Sequence, residues 1–164
     1  MNDERGEADT RLAAVLFADI SGYGRLMESS DHRTHARLMA LRRSVIDPAL
    51  HTDAGRVVNQ TGDGFVAVFD SIRSAAQCAV AMQQAIERSE AREPAEWRIR
   101  FRMGLHLGDV VEKAPDIYGN AVNIAARLQE LAEPGSIMLS SSASANGWSW
   151  SLRIVSEIDQ RRLG

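Results

Sequence analysis

The chain has 164 residues, the length of one ordinary domain, and is long enough to bury a hydrophobic core of its own. Hydrophobic residues make up 45% of it and charged residues 25%, a balance that excludes fibrous and largely disordered classes of protein. Its 19 Lys and Arg residues against 22 Asp and Glu residues give a formal net charge of −3, which argues against a nucleic-acid partner because such proteins carry clustered cations.

The first half of the chain predicts strands that alternate with helices. The continuous apolar run at residues 12–18 is typical of a buried central strand, and the Gly-Asp-Gly sequence around Asp63 is typical of a tight turn between strands. In chain order, the predicted elements are a flexible tail at 1–10, a strand at 12–18, a turn and short helix at 21–30, a helix from Asp31 to about Pro48, and strands at 56–59 and 65–69.

The second half predicts a similar alternation. Apolar residues at helical spacing indicate a helix over 72–86, and strict alternation indicates a strand over 98–107. The further predicted elements are a strand around 110–111, a helix over 118–132 with Ile124, Leu128 and Leu131 inward, and strands at 137–139 and 152–155. This order predicts an α+β protein, a ferredoxin-like βαββαβ-type sandwich whose central, mostly antiparallel sheet is covered by helices.

Two isolated reactive side chains are expected to be structural. Cys78 lies in an apolar helical run, which favours a thiol packed in the core. His106 shares one face of the predicted strand with Arg98, Arg100 and Arg102, and we expect this histidine to be structural. We expect the arginines of this face to have a structural or solvated role rather than to bind phosphate.

Two aspartates form the first candidate site. Asp19 ends the strand at 12–18, and Asp63 lies in the Gly-Asp-Gly turn. If the two strands are neighbours, both carboxylates reach the same end of the sheet, where together with a main-chain carbonyl they offer the oxygen ligands that suit Mg²⁺ or Mn²⁺. The alternative is that Asp19 caps the turn at Ser21 and that Asp63 only shapes its own turn, because Asp-Gly is a common turn pair.

Asn123 and Arg127 form the second candidate site. They are four residues apart on a predicted helix and therefore share one strip of its surface. A guanidinium there is suited to a bidentate contact with a phosphate, while the amide orients a hydroxyl. The alternative is an ordinary solvated helix edge.

Together these stretches resemble the catalytic domain of class III adenylyl and guanylyl cyclases. The matching segments, 16–23, 61–65, 104–110 and 116–127, occur in the order that the family has. The resemblance implies an adenylyl cyclase that converts ATP to 3′,5′-cyclic AMP and pyrophosphate. Its catalytic groups would include two Mg²⁺ or Mn²⁺ ions per site, held by Asp19, Asp63 and the main chain of Ile20. It further implies that Arg127 stabilises the charged transition state and that Asn123 orients the ribose.

The resemblance also assigns residues to the substrate. Asp116 matches the position where a carboxylate accepts a hydrogen bond from the adenine amino group, which favours ATP. Asn59 stands where adenylyl cyclases carry a lysine, and since its amide can either donate or accept, we expect weaker discrimination between ATP and GTP. The other implied substrate-binding positions are Ile20, Ser21, Gly22 and Tyr23.

The family shares each site between two protomers, so we expect a homodimer with two equivalent sites. We expect residues 11–164 to form the cyclase domain, truncated at its C-terminal end, because the lysine that the family places after a Leu-Gly segment is absent. No apolar run approaches the ~18 residues of a membrane span, so we expect no membrane contact and a cytoplasmic location, alone or within a longer protein. A catalytically weak or silent nucleotide-binding regulatory domain is the alternative function.

Overall fold

The computed structural model describes residues 9–113, 115–144, 155–158 and 163. Its helices and strands are β1 (Asp9–Ile20), α1 (Tyr23–Leu41), a π-helical segment (Arg42–Ile46), α2 (Asp47–Thr52), β2 (Arg56–Gln60), β3 (Gly64–Phe69), α3 (Ile72–Glu90), a short 3-10 helix (Ala95–Trp97), β4 (Phe101–Lys113), β5 (Asp116–Tyr118), α4 (Asn120–Leu131), β6 (Ile137–Ser140), α5 (Ser141–Ser144) and β7 (Val155–Ile158).

The strands of these described residues form one mixed sheet. Its order is β2-β3-β1-β4-β6-β7, with β5 paired to β4. Only the β4–β6 and β6–β7 pairs are parallel, and the pairs among β2, β3, β1, β4 and β5 are antiparallel. The predicted α+β sandwich with a mostly antiparallel sheet is confirmed.

Helices cover both faces of the sheet. Side chains alternate along a strand, so Ala14 and Leu16 of β1 join the larger core beneath α1, α2 and α3. Ala13 and Val15 point the other way and join a smaller core beneath α4. Because both of its faces are covered, β1 needs the continuous apolar sequence that predicted it as a central strand.

α4 lies very close to β4 at Gly104. A Cβ atom at this position would be 2.2 Å from the carbonyl oxygen of Ala125 and 2.4 Å from the amide nitrogen of Gln129. The face of α4 that packs on the sheet consists of Ala121, Ala125, Leu128 and Gln129. The prediction that Leu131 packs inward is wrong, since this close approach requires the narrow alanine face and leaves Leu131 50% exposed.

Several predicted boundaries also differ from the structure. The strands predicted at 98–107 and 110–111 are one strand that begins at Phe101, because β1 pairs with it along its whole length. Asp9 and Thr10, assigned to the tail, already belong to β1. The helix predicted to end at about Pro48 extends to Thr52, because α2 continues directly from the π-helical segment. The break expected before Asp31 falls at Ser30, whose backbone is not helical. The predicted tail at 1–8 and residues 152–154 of the last strand lie outside the described residues.

Both residues expected to be structural are buried. Cys78 lies on the buried face of α3 and belongs to the larger core, and burial raises the pKa of its thiol to about 12. His106 places Nδ1 2.7 Å from the hydroxyl of Ser140, and burial lowers the pKa of its imidazole. Within the described ranges, no helix combines the length and the apolar composition that crossing a membrane requires.

Candidate active site

Asp19 and Asp63 lie together at one end of the sheet. Asp19 is opposite Gly64 in the register of β1 and β3, so the turn that carries Asp63 meets the end of β1. The amide of Ile20 donates to the main-chain oxygen of Asp63 and to Oδ1 of Asp19, both at 2.9 Å. The expectation that these strands are neighbours is confirmed, and it brings both aspartates to the same place.

Gly64 permits this close approach. A Cβ atom at residue 64 would be 2.4 Å from the carbonyl oxygen of Ala18 and 3.2 Å from Oδ1 of Asp19. The turn itself is closed by the amide of Thr61, which donates to the carbonyl of Gly64 at 3.0 Å. The hydroxyl of Thr61 also donates to Oδ1 of Asp63 at 3.3 Å. Asp63 therefore has a role in its turn as well as a position beside Asp19.

The electrostatics of the pair suit a cation. Burial of Asp19 and the negative charge of Asp63 raise the pKa of Asp19 to about 6, while the charge of Arg102 opposes this shift. A divalent cation between two such carboxylates would remove their repulsion. No cluster of three or more His, Cys, Asp or Glu residues occurs in the part of the chain that the structure describes. Further ligands would therefore be main-chain, water or substrate oxygens, which Mg²⁺ and Mn²⁺ accept.

Arg102 is a candidate that the sequence prediction left out of the site. It is opposite Asp19 in the register of β1 and β4, and its Nε is buried with no hydrogen-bond partner among the described residues. A guanidinium whose charge acts on Asp19 and that keeps an unused donor suits an anionic group. The alternation of residues 98–106 indicated only a cationic face, because the partner of each arginine depends on a register that the sequence does not show.

The segment after Asp19 leads directly into a helix. Gly22 adopts a left-handed conformation with φ +65°, and α1 begins at Tyr23. The amides of Ile20 and Ser21 donate to main-chain oxygens of Asp63 and Arg100, so they are used within the fold. The open amides of this segment are those in the first turn of α1, which is where helices offer hydrogen bonds to phosphate groups.

The predicted base-binding carboxylate, Asp116, lies on β5 beside the far end of β4. Asp116 of β5 pairs with Lys113 at the end of β4, whereas Asp19 is opposite Arg102 near its beginning. At ~3.3 Å per residue, roughly 35 Å of strand separates these two positions. The predicted metal pair and the predicted base residue therefore occupy opposite ends of β4.

The remaining predicted residues lie on elements near Asp116. Asn59 is exposed on β2, and β2 contacts β5. Asn123 and Arg127 are exposed on α4, which contacts β5 as well. Nη1 of Arg127 donates to the main-chain oxygen of Leu163. The structure thus brings the elements of these four residues together. Asp116 lies at the far end of β4 from Asp19, whereas Asn59 is opposite Val66 of β3, close to the turn of Asp63, and Arg127 lies in the part of α4 that packs on Gly104.

A family model of the adenylate and guanylate cyclase catalytic domain matches residues 7–159. The chain belongs to this family. The cyclase domain is 42% identical over 130 residues to putative adenylate cyclase 3 of Rhizobium meliloti, covering 79% of this chain and 22% of that protein. It is 32% identical over 142 residues to an adenylate cyclase of Glutamicibacter nicotianae, covering 84% of this chain and 34% of that protein. The domain thus spans about a fifth to a third of the length of these relatives.

Solved structures agree with the family assignment. The adenylate/guanylate cyclase/hydrolase from Silicibacter pomeroyi superimposes with a TM-score of 0.78 at 42% identity, covering 85% of this chain and 81% of that one. The adenylyl cyclase CyaB from P. aeruginosa gives a TM-score of 0.74 at 20% identity, covering 85% of this chain and 81% of that one, and this likeness concerns the fold alone. The class III cyclase fold expected from the resemblance is confirmed.

Proposed function

We propose that the domain is an adenylyl cyclase that converts ATP to 3′,5′-cyclic AMP and pyrophosphate at sites shared by two copies of the chain. The observation that carries this proposal is the convergence of Asp19 and Asp63 at the end of β1. In our proposal these carboxylates and the main chain of Ile20 hold two Mg²⁺ or Mn²⁺ ions. When bound, such ions neutralise the triphosphate and lower the pKa of the attacking ribose hydroxyl.

The reaction is an in-line displacement at the α-phosphorus. The bond from the ribose 3′-oxygen to phosphorus forms while the bond to pyrophosphate breaks, and the hydroxyl proton passes to solvent. Arg127 donates to the α-phosphate oxygens, on which charge develops, and Asn123 orients the ribose. Both side chains are exposed on α4, so both are accessible to a nucleotide. Arg127 must first exchange the Leu163 carbonyl for the phosphate.

The triphosphate is proposed to lie beside the start of α1. In this proposal the main-chain amides in the first turn of α1, which follows Gly22 and begins at Tyr23, point toward the triphosphate oxygens. A helix N-terminus favours negative charge. Arg102 lies on the neighbouring strand with its unused Nε donor. In this proposal Ile20 and Ser21 shape the segment through main-chain bonds rather than donate to the nucleotide.

Base selection is proposed to rest on Asp116 and Asn59. The Asp116 carboxylate accepts a hydrogen bond from the adenine amino group and repels the guanine carbonyl. The hydroxyl of Tyr118 lies 3.4 Å from Oδ2 of Asp116, so it supports one of the two carboxylate oxygens. Asn59 donates to the adenine ring through its neutral amide, which gives weaker discrimination than a charged lysine.

The separation of Asp116 from the Asp19–Asp63 pair supports the homodimer in this proposal. One chain holds its metal-binding pair and its base-binding residue at opposite ends of β4. A two-fold symmetric dimer that sets one end against the other completes two equivalent sites. We also propose that the domain works in the cytoplasm, where its substrate ATP is available.

A catalytically weak or silent regulatory domain is the second candidate. The contact between Arg127 and the Leu163 carbonyl favours it, since this arginine is already engaged. The neutral Asn59 in place of a lysine points in the same direction. Retention of both Asp19 and Asp63 in one cluster favours the active enzyme.

Product identification separates these candidates. The domain is incubated with Mn²⁺ and either ATP or GTP, and the products are resolved by chromatography. We expect cyclic AMP from ATP and a smaller amount of cyclic GMP from GTP. Nucleotide binding without either product would favour the regulatory domain, and cyclic GMP as the main product would overturn the base assignment.

A further inference from the structure

A buried arginine lies beneath the turn that carries Asp63. Arg42 begins the π-helical segment after α1, and only 8% of it is exposed. Its Nη2 donates to the main-chain oxygens of Thr61 and Gly64, each at 3.4 Å. Its Nε is buried and has no hydrogen-bond partner among the described residues, and none of the ion pairs found there includes it.

The core does not explain such a residue. The other side chains of this helical face are apolar, namely Leu38, Leu41, Val45 and Ile46. Burying a guanidinium without a carboxylate is unfavourable, and an apolar residue at position 42 would avoid that cost. A buried charge with an unused donor therefore indicates a role other than packing. Local π-helical geometry, found frequently at functional sites, begins at this residue.

The two oxygens that Arg42 contacts belong to the same turn. Thr61 and Gly64 flank Asp63 and are joined by the 3.0 Å bond from the Thr61 amide to the Gly64 carbonyl. The main-chain oxygen of Asp63 is in turn fixed by the amide of Ile20. A single guanidinium nitrogen that spans both ends of the turn limits how far Asp63 can move from Asp19.

We propose that Arg42 is a positioning residue that holds the Thr61–Gly64 turn, and with it the Asp63 carboxylate, in place for binding a divalent cation. The inference rests on the proposed metal-binding role of Asp19 and Asp63. Its action is through main-chain contacts, because no contact joins Arg42 to either carboxylate in the described structure and the guanidinium that acts on Asp19 is that of Arg102.

The direction in which metal affinity changes when Arg42 is removed distinguishes a positioning role from an electrostatic role. A cation near a metal site weakens metal binding by repulsion, so removing a purely electrostatic Arg42 would tighten binding. Removing a positioning Arg42 weakens binding, as replacing a group that orients a metal ligand commonly does by about 10–100-fold. Removing an Arg42 that only stabilises the fold would lower the melting temperature and leave metal affinity unchanged.

The test uses Arg42→Met and Arg42→Lys in the full chain, with Mn²⁺ alone as the probe. Arg43→Met is the matched control, because Arg43 is the exposed neighbour on the same segment. Free Mn²⁺ is measured by electron paramagnetic resonance, and hydrogen exchange is followed at the amides of Thr61 and Ile20, which are bonded within or to the turn.

We expect Arg42→Met to keep the melting temperature of the wild type or to exceed it. We expect its Mn²⁺ affinity to fall about 10-fold, with faster exchange at both amides. Arg42→Lys retains one cationic donor and should lie between Arg42→Met and the wild type in both readouts. Arg43→Met should match the wild type.

Unchanged or tighter Mn²⁺ binding by Arg42→Met would overturn the inference. If Arg42→Met does not fold, Arg42→Lys decides, since wild-type affinity and exchange in that folded variant would equally overturn it. If the wild type binds no more Mn²⁺ than Asp63→Asn does, the proposed metal pair itself fails. The exchange rates then still show whether Arg42 holds the turn.

Discussion

Asp19 lies near the end of β1 and Asp63 lies in the turn between β2 and β3, yet the amide of Ile20 bonds to oxygen atoms of both. This shared donor fixes the two residues relative to each other at the end of β1. Burial of Asp19 and the charge of Asp63 then raise the pKa of Asp19 to about 6, from an ordinary value of 3.8. The metal-free site thus holds two acids that are unfavourable as neighbours.

Stability should fall with pH because of this pair. The folded state keeps a proton on Asp19 that the unfolded chain releases near pH 4, so this contribution is complete below about pH 4 and is lost as pH rises through about 6. Asp19→Asn should therefore stabilise the metal-free domain at pH 7.5 by roughly 1–2 kcal/mol after allowing for solvent screening, and by less at pH 4.5. Urea unfolding in a chelator measures both values. The exposed Asp116→Asn is the control, and equal effects of the two substitutions would contradict the proposed repulsion.

Selectivity for the base should respond to two substitutions. Asn59→Lys adds a charge-assisted hydrogen bond to adenine, worth ~1–2 kcal/mol, and should raise the preference for ATP over GTP about 5–30-fold in kcat/KM. Asp116→Ala removes the acceptor for the adenine amino group and should lower that preference. Kinetics with each nucleotide give both ratios. Unchanged ratios in both variants would show that these residues do not contact the base.

The packing of α4 should be sensitive at one glycine. Gly104→Ala forces a methyl group against the main chain of Ala125 and Gln129, so α4 must move, at a cost of about 1–3 kcal/mol. Gly24→Ala, in a helix with no atom within 4 Å of the added methyl, should be neutral or stabilising by about 0.5–1 kcal/mol. Chemical denaturation compares the two. A Gly104→Ala protein as stable as Gly24→Ala would show that α4 does not approach β4 in this way.

The two halves of the site should complement each other between chains. Asp19→Ala and Arg127→Ala should each be inactive, but a mixed dimer has one site with both lesions and one with neither. Random equal mixing makes about half of the dimers mixed, so activity should recover to about a quarter of wild type. Native mass spectrometry confirms subunit exchange. If exchange occurs and the mixture stays inactive, Asp19 and Arg127 act in the same chain.

The sequence predicted the elements better than their relationships. The apolar run at 12–18 identified β1 as central because a strand covered on both faces needs apolar residues throughout. The inward face of α4 was mispredicted, since helical periodicity favours Leu131 while the actual contact is limited by the backbone of Gly104. Close approach of two main chains has no signal in hydrophobic spacing.

In the candidate site too, single residues could be predicted from the sequence, whereas contacts between distant segments could not. Asp19 and Asp63 were identifiable because each ends or joins an apolar strand, and the turn sequence limits where Asp63 can lie. Arg102 and Arg42 were not, since one depends on the register of β1 and β4 and the other on a π-helical turn that buries a charged residue. Such contacts arise only when distant segments are packed together.

The most direct test is the amount of cyclic AMP and pyrophosphate released from ATP in the presence of Mn²⁺ by the wild type, Asp19→Asn and Asp63→Asn. The asparagines keep the size of the side chains and remove the charges that the proposed cations need. The account predicts equimolar products from the wild type and background levels from both variants, with all three proteins folded by circular dichroism. Wild-type rates from either variant would contradict it.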